Sequence, residues 1–372
     1  MRQVYRKFQT VLTTSLIPIS LQQSQMLLVR IQWLFVSLVR RLTPIAKARK
    51  VVIVGTGNSA KTLFNFFNSP FNAGYEFKGF FVENHEKNAP NPYIQGSLSD
   101  LKIYCLHEKI DEIYFTLSLT HEDLLEDLSD FADKNFIYFR LAPNVRELPT
   151  EIEPLASYFI DEIPVITLRK EPLSSRLNQT WKRGFDIVFS GLALLFLGIF
   201  VFPFIALAIR LESKGPIFFK QKRPGLKNQL FSCYKFRSMT VNNSGEQQAT
   251  KNDNRITKVG AFLRKTSLDE LPQFFNVLRG DMAVVGPRPN MVSQLETYSQ
   301  LIDNYAFRHF VKPGITGWAQ VNGFRGETQT TDLMEKRVQF DLEYMQRWSL
   351  GFDCKIIFLT VRNIIKGEEN AY

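Results

Sequence analysis

Cysteine and histidine are both scarce in this chain of 372 residues. The three cysteines, Cys105, Cys233 and Cys354, stand far apart with no CxxC, which argues against a disulfide scaffold or a cysteine-built zinc site. The four histidines, His85, His107, His121 and His309, show no HExxH or paired spacing, so a histidine-rich metal centre is disfavoured. Acid is missing from one region altogether. Residues 1–50 hold nine Lys/Arg and no Asp or Glu, around an apolar stretch, Met26 to Val39, that Arg30 interrupts. That stretch is shorter than the roughly 20 residues of a spanning helix and lacks a small-residue cleavage site. It reads as a basic interfacial segment or as a poorly ordered leader.

What is present is ample apolar material. Hydrophobic residues make up 45% of the chain and charged residues 22%, so wholesale disorder is excluded, and the length suits about two domains. A net charge of +10 suits nucleic acid, an anionic membrane surface or phosphate-bearing substrates. The position of the charges discriminates. Ile187 to Ile209 is a run of 23 residues without a charge. Its length fits a membrane helix, and Pro203 should kink it. Lys/Arg flank it on both sides, ten against two Asp/Glu across residues 181–240. If cytoplasmic loops collect Lys/Arg, both ends belong on one side. A helix that enters, bends near Pro203 and returns satisfies both facts. A kinked full span is the alternative.

Before that run lies an α/β pattern. Val51–Val–Ile–Val54 followed by Gly55–Thr–Gly–Asn–Ser–Ala60 reads as a buried strand, a glycine turn and a helix start, with the helix running on through Lys61–Phe67. Further strands are expected at Phe77–Val82, Glu112–Leu117 and Phe136–Leu141, with a helix at Leu124–Phe131. Alternation of this kind implies a parallel sheet, a Rossmann-like domain over residues 50–172. Gly55 and Gly57 could cradle a nucleotide phosphate, with Glu83 or Glu76 toward its ribose. The same turn also fits a Rossmann-like module without a cofactor. No Tyr-x-x-x-Lys pair follows, which disfavours an oxidoreductase. A domain boundary is expected near 170–178.

The polar motifs cluster after the apolar run. They include Lys235–Phe–Arg–Ser–Met239, Gly260 to Arg264, Thr266–Ser–Leu–Asp–Glu–Leu–Pro–Gln273, Gly286–Pro–Arg–Pro289, Lys312 to Gln320 and Asn322 to Gly326. Asp269 and Glu270 are expected at a helix mouth, either through a Ser267/Glu270 capping box or with Asp269 as the cap, leaving Pro272 at the third helical position. That end favours phosphate. Two adjacent carboxylates there suit a Mg²⁺ ion shared with substrate phosphates, and an aspartate can also attack phosphorus. Lys235, Arg237, Arg264, Arg288 and Arg325 are five cations suited to a substrate with several phosphates. A basic face against anionic lipid is the blander alternative.

Taken together, residues 178–372 resemble the monotopic phosphoglycosyl transferases, the polyprenyl-phosphate hexose-1-phosphate transferases among the bacterial sugar transferases. The likeness runs through Lys182–Arg183, Asp186, the Pro203-broken helix at 187–209, the Lys235 motif, Leu263 to Glu270, Asn276–Val277, Gly280–Asp–Met282, Gly286–Pro–Arg–Pro289 and Pro313 to Gln320. The resemblance implies that Asp269 attacks the β-phosphorus of a UDP-sugar and releases UMP, that Glu270 assists through Mg²⁺ or proton handling, and that undecaprenyl phosphate then takes the sugar phosphate. Arg264 and Lys235 would bind phosphate. It implies a place on the cytoplasmic face of the bacterial inner membrane, with membrane lipid and downstream glycosyltransferases as partners, and leaves homo-oligomerisation open. The larger members begin with four spanning helices, so residues 1–49 are expected to be at most a remnant of that bundle. The tail, Gly323 to Thr330 with Asp341, Tyr344, Trp348–Ser349 and Asn370–Ala–Tyr372, is similar to glucose enzymes of exopolysaccharide synthesis; galactose and N-acetylhexosamine enzymes share the core motifs. A UDP-sugar epimerase or dehydratase and a non-catalytic scaffold of polymer export are the competing classes. Nucleic-acid binding is disfavoured, because no reader motif appears.

Overall fold

The computed structural model describes residues 48–366, apart from 70–71, 73, 84–91, 119–120, 144–156, 161–162, 241–252 and 327–329. The basic segment expected at 1–49 lies outside the described residues but for its last two, and so does Asn370–Ala–Tyr372. The chain forms two compact units, 1–129 with 137–168, and 130–136 with 169–372.

The first unit is built on β1 (Arg49–Val54), α1 (Asn58–Phe67), β2 (Tyr75–Val82), β3 (Ile94–Ser97), α2 (Leu98–Glu108), β4 (Glu112–Phe115), α3 (Glu122–Lys134), β5 (Tyr138–Leu141), β6 (Ser157–Ile160) and β7 (Ile163–Thr167), α3 running past its boundary. The sheet order is β3-β2-β1-β4-β5-β7-β6. The first five strands are parallel, while β7 pairs antiparallel with both β5 and β6. Val51 to Val54 are fully buried, which is why β1 reads as an unbroken apolar run: a central parallel strand is covered on both faces. Ala60, Leu63 and Phe67 bring α1 onto the same core at helical spacing. Gly55 has φ +103, and a Cβ there would lie 2.6 Å from Thr116 Oγ1 at the end of β4. The turn therefore requires glycine for packing alone.

The second unit begins with α4 (Arg176–Phe200) and α5 (Phe202–Glu212). The apolar run expected as one kinked helix is two helices, broken at Val201 (φ −118, ψ −47), with Pro203 in the first turn of α5, where its missing N–H costs no helical bond. Among the described residues α4 is the one helix long and apolar enough to cross a membrane, and little of its apolar stretch is buried. Leu192, Phe196, Ile199, Phe204 and Leu207 are all exposed. A β-hairpin follows, β8 (Phe218–Pro224) and β9 (Leu230–Phe236), then α6 (Lys258–Lys265), a single 3-10 turn (Leu268–Glu270), α7 (Gln273–Arg279), β10 (Ala283–Val285), α8 (Val292–Leu301), β11 (Gly314–Thr316), α9 (Trp318–Val321), α10 (Thr331–Arg347) and α11 (Leu350–Lys366). β10 and β11 pair in parallel.

Two clamps fix this unit. At the start of α4, Lys182 Nζ lies 2.8 Å from Asp353 Oδ2 of α11 and 3.3 Å from Asp186 Oδ1, while Val284 N of β10 donates to Asp186 (3.0 Å). On α7, Asn276 is fully buried; its amide donates to Ser232 O (2.8 Å) and accepts from Tyr234 N (3.0 Å), locking the helix to β9.

Candidate active site

Six of the seven residues expected to handle substrate come together in the second unit. Lys235 stands near the end of β9, Arg264 in the last turn of α6, Asp269 and Glu270 on the 3-10 turn, Arg288 just after β10 and Arg325 just after α9. Glu270 is 6% exposed and surrounded by cations. Arg288 donates to both of its oxygens, at 3.0 and 2.7 Å, Lys235 Nζ lies 2.8 Å away and Arg325 3.9 Å. Arg325 also bonds Ser267 Oγ. Arg264 Nε donates to Ser238 Oγ at 2.9 Å. The Asp269 carboxylate, 7% exposed, receives no hydrogen bond from any of the described residues.

Three expectations are corrected. Neither Ser267 nor Asp269 caps a helix: Ser267 sits at φ 60 with no side-chain cap bond, and Glu270 faces Lys235 and Arg288 instead of reaching back. Pro272 is the residue before α7, not its third position. Arg237, expected to bind substrate phosphate, lies at 6% exposure with its guanidinium on Lys214 O (2.9 Å), Ser213 O (2.7 Å) and Ile209 O (3.4 Å). It satisfies carbonyls at the end of α5, where a helix leaves acceptors without partners, so its donors are not offered to a substrate.

The backbone holds the cluster by glycine-to-glycine packing. Gly286 N donates to Thr316 O and Gly314 N to Pro287 O, both at 2.9 Å. A Cβ on Gly314 would lie 2.1 Å from Gly286 N. The two motifs around Gly286 and Gly314 are therefore one interlocked turn that aims Arg288 inward. Behind the cluster lies a layer whose two arginines sequence reasoning missed. Arg308, 2% exposed, donates to Arg288 O (2.7 Å) and pairs with Asp341 of α10 (2.7 Å). Arg337, one turn before Asp341, donates to Phe324 O (3.0 Å) and Gly326 O (2.6 Å), the carbonyls on either side of Arg325. The signal was available: Met334, Val338 and Met345 form the buried stripe of α10, and Arg337 and Asp341 fall on it at helical spacing.

Burial opposes ionisation at both acids. At Asp269 burial prevails, with Glu270 adding to it against Lys235 and Arg264, so this carboxyl sits above the usual range. At Glu270 the same penalty is outweighed by Arg288, Lys235 and Arg325, which hold its carboxyl well below the usual range. Neighbouring acids pushed apart in this way take different roles. Burial also lowers the Arg264 guanidinium, which Asp269 attracts. Four cations against two carboxylates leave excess positive charge for a phosphate-bearing ligand.

The expectation of Mg²⁺ on both acids fits the geometry only in part. Both Glu270 oxygens are engaged by arginine and lysine, whereas the Asp269 oxygens are open, and one carboxylate with substrate phosphates is a set Mg²⁺ accepts. Among the described residues no group of three or more His, Cys, Asp and Glu is arranged to hold a metal.

Comparison with known proteins fits this site. A UDP-glucose:undecaprenyl-phosphate glucose-1-phosphate transferase of Escherichia coli (strain K12) is 42% identical over 318 residues, 84% of this chain and 67% of that one. A UDP-N-acetylgalactosamine-undecaprenyl-phosphate N-acetylgalactosaminephosphotransferase of Aeromonas hydrophila is 43% identical over 190 residues, 50% of this chain and 44% of that one. An exopolysaccharide production protein PSS of Rhizobium leguminosarum bv. phaseoli is 46% identical over 186 residues, 48% of this chain and 92% of that one. Residues 177–367, which carry every member of the cluster, match the bacterial sugar transferase family, and the chain belongs to that family.

Proposed function

We propose that the protein transfers a hexose-1-phosphate, glucose-1-phosphate in our reading, from a UDP-sugar to undecaprenyl phosphate and releases UMP. The observation that carries the chemistry is the Asp269 carboxylate: buried, unbonded, and beside a glutamate already neutralised by three cations. An Asp269 oxygen attacks the β-phosphorus; the bond from that phosphorus to the bridging oxygen breaks, and UMP departs with the oxygen and its electron pair. A phosphate oxygen of undecaprenyl phosphate then attacks the same phosphorus, the aspartyl–phosphorus bond breaks, and the carboxylate is regenerated. Arg264, Lys235 and Arg325 hold the diphosphate while Glu270 keeps Arg288 and Lys235 in place. Mg²⁺, with Asp269 as its one open protein carboxylate, would supply charge neutralisation at the diphosphate.

Glucose is favoured because the likeness to the Escherichia coli glucose enzyme extends over 84% of the chain, through the sheet unit as well as the transferase unit. Over 190 residues, half of this chain, an N-acetylgalactosamine enzyme is as similar, so a match of that extent does not select the sugar. The lipid-linked product would pass to downstream glycosyltransferases of exopolysaccharide synthesis. Residues 178–372 form the transferase domain in this reading, and 50–172 a Rossmann-like module; its Gly55 is explained by Thr116 without a cofactor.

The α4–α5 pair is read as re-entrant, with the active site on the cytoplasmic face of the inner membrane. Both ends are tied to the same globular body. Arg183 donates to Val277 O (2.5 Å) and Leu278 O (2.7 Å) at one end, and Arg237 and Glu212 bind Ser213 O and Val259 N at the other. From Val188 to Leu207 the exposed side chains are apolar, and the exposed charge of Arg210 comes only in the last turn of α5. A full span would draw those ends to opposite sides of a bilayer.

The test is the identity of the released nucleotide. Membranes given UDP-glucose, Mg²⁺ and undecaprenyl phosphate are expected to release UMP, with a sugar-phosphate adduct trapped on the Asp269 peptide. Release of UDP would overturn phosphosugar transfer.

A further inference from the structure

A cavity of about 370 Å³ runs from the cluster between α4 and α11. Ser267, Glu270 and Arg325 stand at its polar end. Its walls are apolar apart from Gln320: Ala193 and Leu197 from α4 face Thr360 and Ile364 from α11. Thr360 does not break the pattern, because its hydroxyl is in a 2.6 Å bond with Thr316 and reaches Ile356 O at 2.8 Å. The wall also includes Phe196 and Val361, both more than half exposed, so the lining continues onto the apolar outer faces of the two helices.

We infer that this groove holds the first isoprene units of the polyprenyl phosphate acceptor, with its phosphate at the Arg325 end. The inference rests on the transfer proposed above, and it names the acceptor's place in that site. A sugar nucleotide is polar along its whole length and would leave hydroxyls and phosphates without partners against these walls. A prenyl phosphate has the reverse distribution, an apolar tail and an anionic head, and matches a groove whose walls are apolar but for Gln320, with an arginine at one end. The groove passes beside α4, whose apolar stretch is mostly exposed, so the tail can leave it into lipid without crossing water. The acceptor would thus reach the phosphorylated Asp269 from the membrane side.

The experiment uses the full chain in nanodiscs of phosphatidylglycerol and phosphatidylethanolamine. Ala193→Trp and Ile364→Trp place a large ring in the groove. The KM for undecaprenyl phosphate should rise about tenfold or more, the size of effect that a hydrophobic pocket exerts on an apolar ligand, with the KM for UDP-glucose changed less than about twofold. Unchanged KM values for undecaprenyl phosphate in both variants would overturn the groove. On the unsubstituted protein, a benzophenone-bearing prenyl phosphate should cross-link to the peptide of residues 350–366, and excess undecaprenyl phosphate should suppress the cross-link. Equal suppression by added phosphatidylglycerol would assign the groove to ordinary bilayer lipid and overturn the proposal, even if the variants fail to fold. UMP release from UDP-glucose in the absence of acceptor reports on the transfer chemistry alone: its loss from the unsubstituted protein would overturn the proposed reaction, while its presence with a null groove result would sink only the groove.

Discussion

Glu112 in the parallel sheet and Glu270 at the 3-10 turn are both almost fully buried, and both lie against arginine, yet their surroundings differ in kind. Glu112 on β4 receives Arg49 at 2.5 Å and the Tyr114 hydroxyl at 2.8 Å, and each of its oxygens has a partner. That arrangement is closed at the carboxylate: both of its oxygens are engaged. Glu270 is equally well paired, but by more positive charge than it can neutralise, and its chain neighbour Asp269 stands unbonded beside it. A buried ion pair whose groups are all satisfied reads as architecture. One that leaves a buried carboxylate open, and positive charge in excess, reads as a place where an anionic substrate completes the set.

The largest effect that sharpens this contrast is at Asp269. Asp269→Asn should lower UMP formation by roughly 10³-fold or more, as removal of a nucleophile does. It should also raise the melting temperature. The sign follows from burial: the folded-state pKa lies above the unfolded value, so at neutral pH the ionised carboxylate weighs against the fold, and this penalty fades as pH falls through the raised pKa. A neutral asparagine removes it. In the unsubstituted protein the UMP-forming rate should fall on acidification at a pH above the ordinary carboxylate range, because Asp269 must be ionised to attack, while Glu270 keeps its charge to much lower pH. A variant that is both inactive and less stable would show Asp269 to be another closed, structural acid like Glu112.

A smaller loss is expected at Arg337, which touches neither acid. It holds Phe324 O and Gly326 O and so fixes the loop that carries Arg325. Burial, then the charges of Arg308 and Arg288, push its guanidinium down to about 10, still protonated at neutral pH. Hydrogen bonds from a charged group are worth about 1.5–3 kcal/mol, so Arg337→Met should cost about 10- to 100-fold in kcat/KM for UDP-glucose. The discriminating measurement is a double-mutant cycle. In an Arg325→Ala background the same substitution should cost little more, since the positioned group is already gone. Full additivity would make Arg337 a general support of the fold.

How much of this was legible in the sequence follows from the same physics. The parallel strands announced themselves, because a strand covered on both faces must be apolar throughout, as Val51 to Val54 are. A disruption of the apolar helix near Pro203 followed from its missing donor, although the structure makes it a clean division into two helices at Val201. The cluster was readable from its motifs, because glycines that let Gly286 and Gly314 approach leave a visible pattern around Arg288. Arg237 was misplaced because a lysine and an arginine two residues apart look alike on paper; β9 ends at Phe236, so the alternation that aims Lys235 at Glu270 does not extend to Arg237. Arg308 and Arg337 went unseen for a related reason. A charged side chain advertises solvent, and only its place on a buried stripe shows otherwise.

The smallest expected effect on transfer is at Glu112, and it tests the other side of the contrast. Glu112→Ala leaves Arg49 without its main partner in a mostly buried position. Breaking such a pair from one side costs about 3–5 kcal/mol, because the remaining charge keeps its desolvation penalty. Arg49 stays 15% exposed and lies over the Tyr138 ring at 5.5 Å, so the loss should fall toward the lower end of that range. It should appear as a lowered denaturation midpoint for the sheet unit, with UMP release per folded molecule unchanged. If UMP release fell in proportion while the fold held, the sheet unit's closed pair would be coupled to the chemistry, and satisfaction of every donor and acceptor would no longer separate architecture from site.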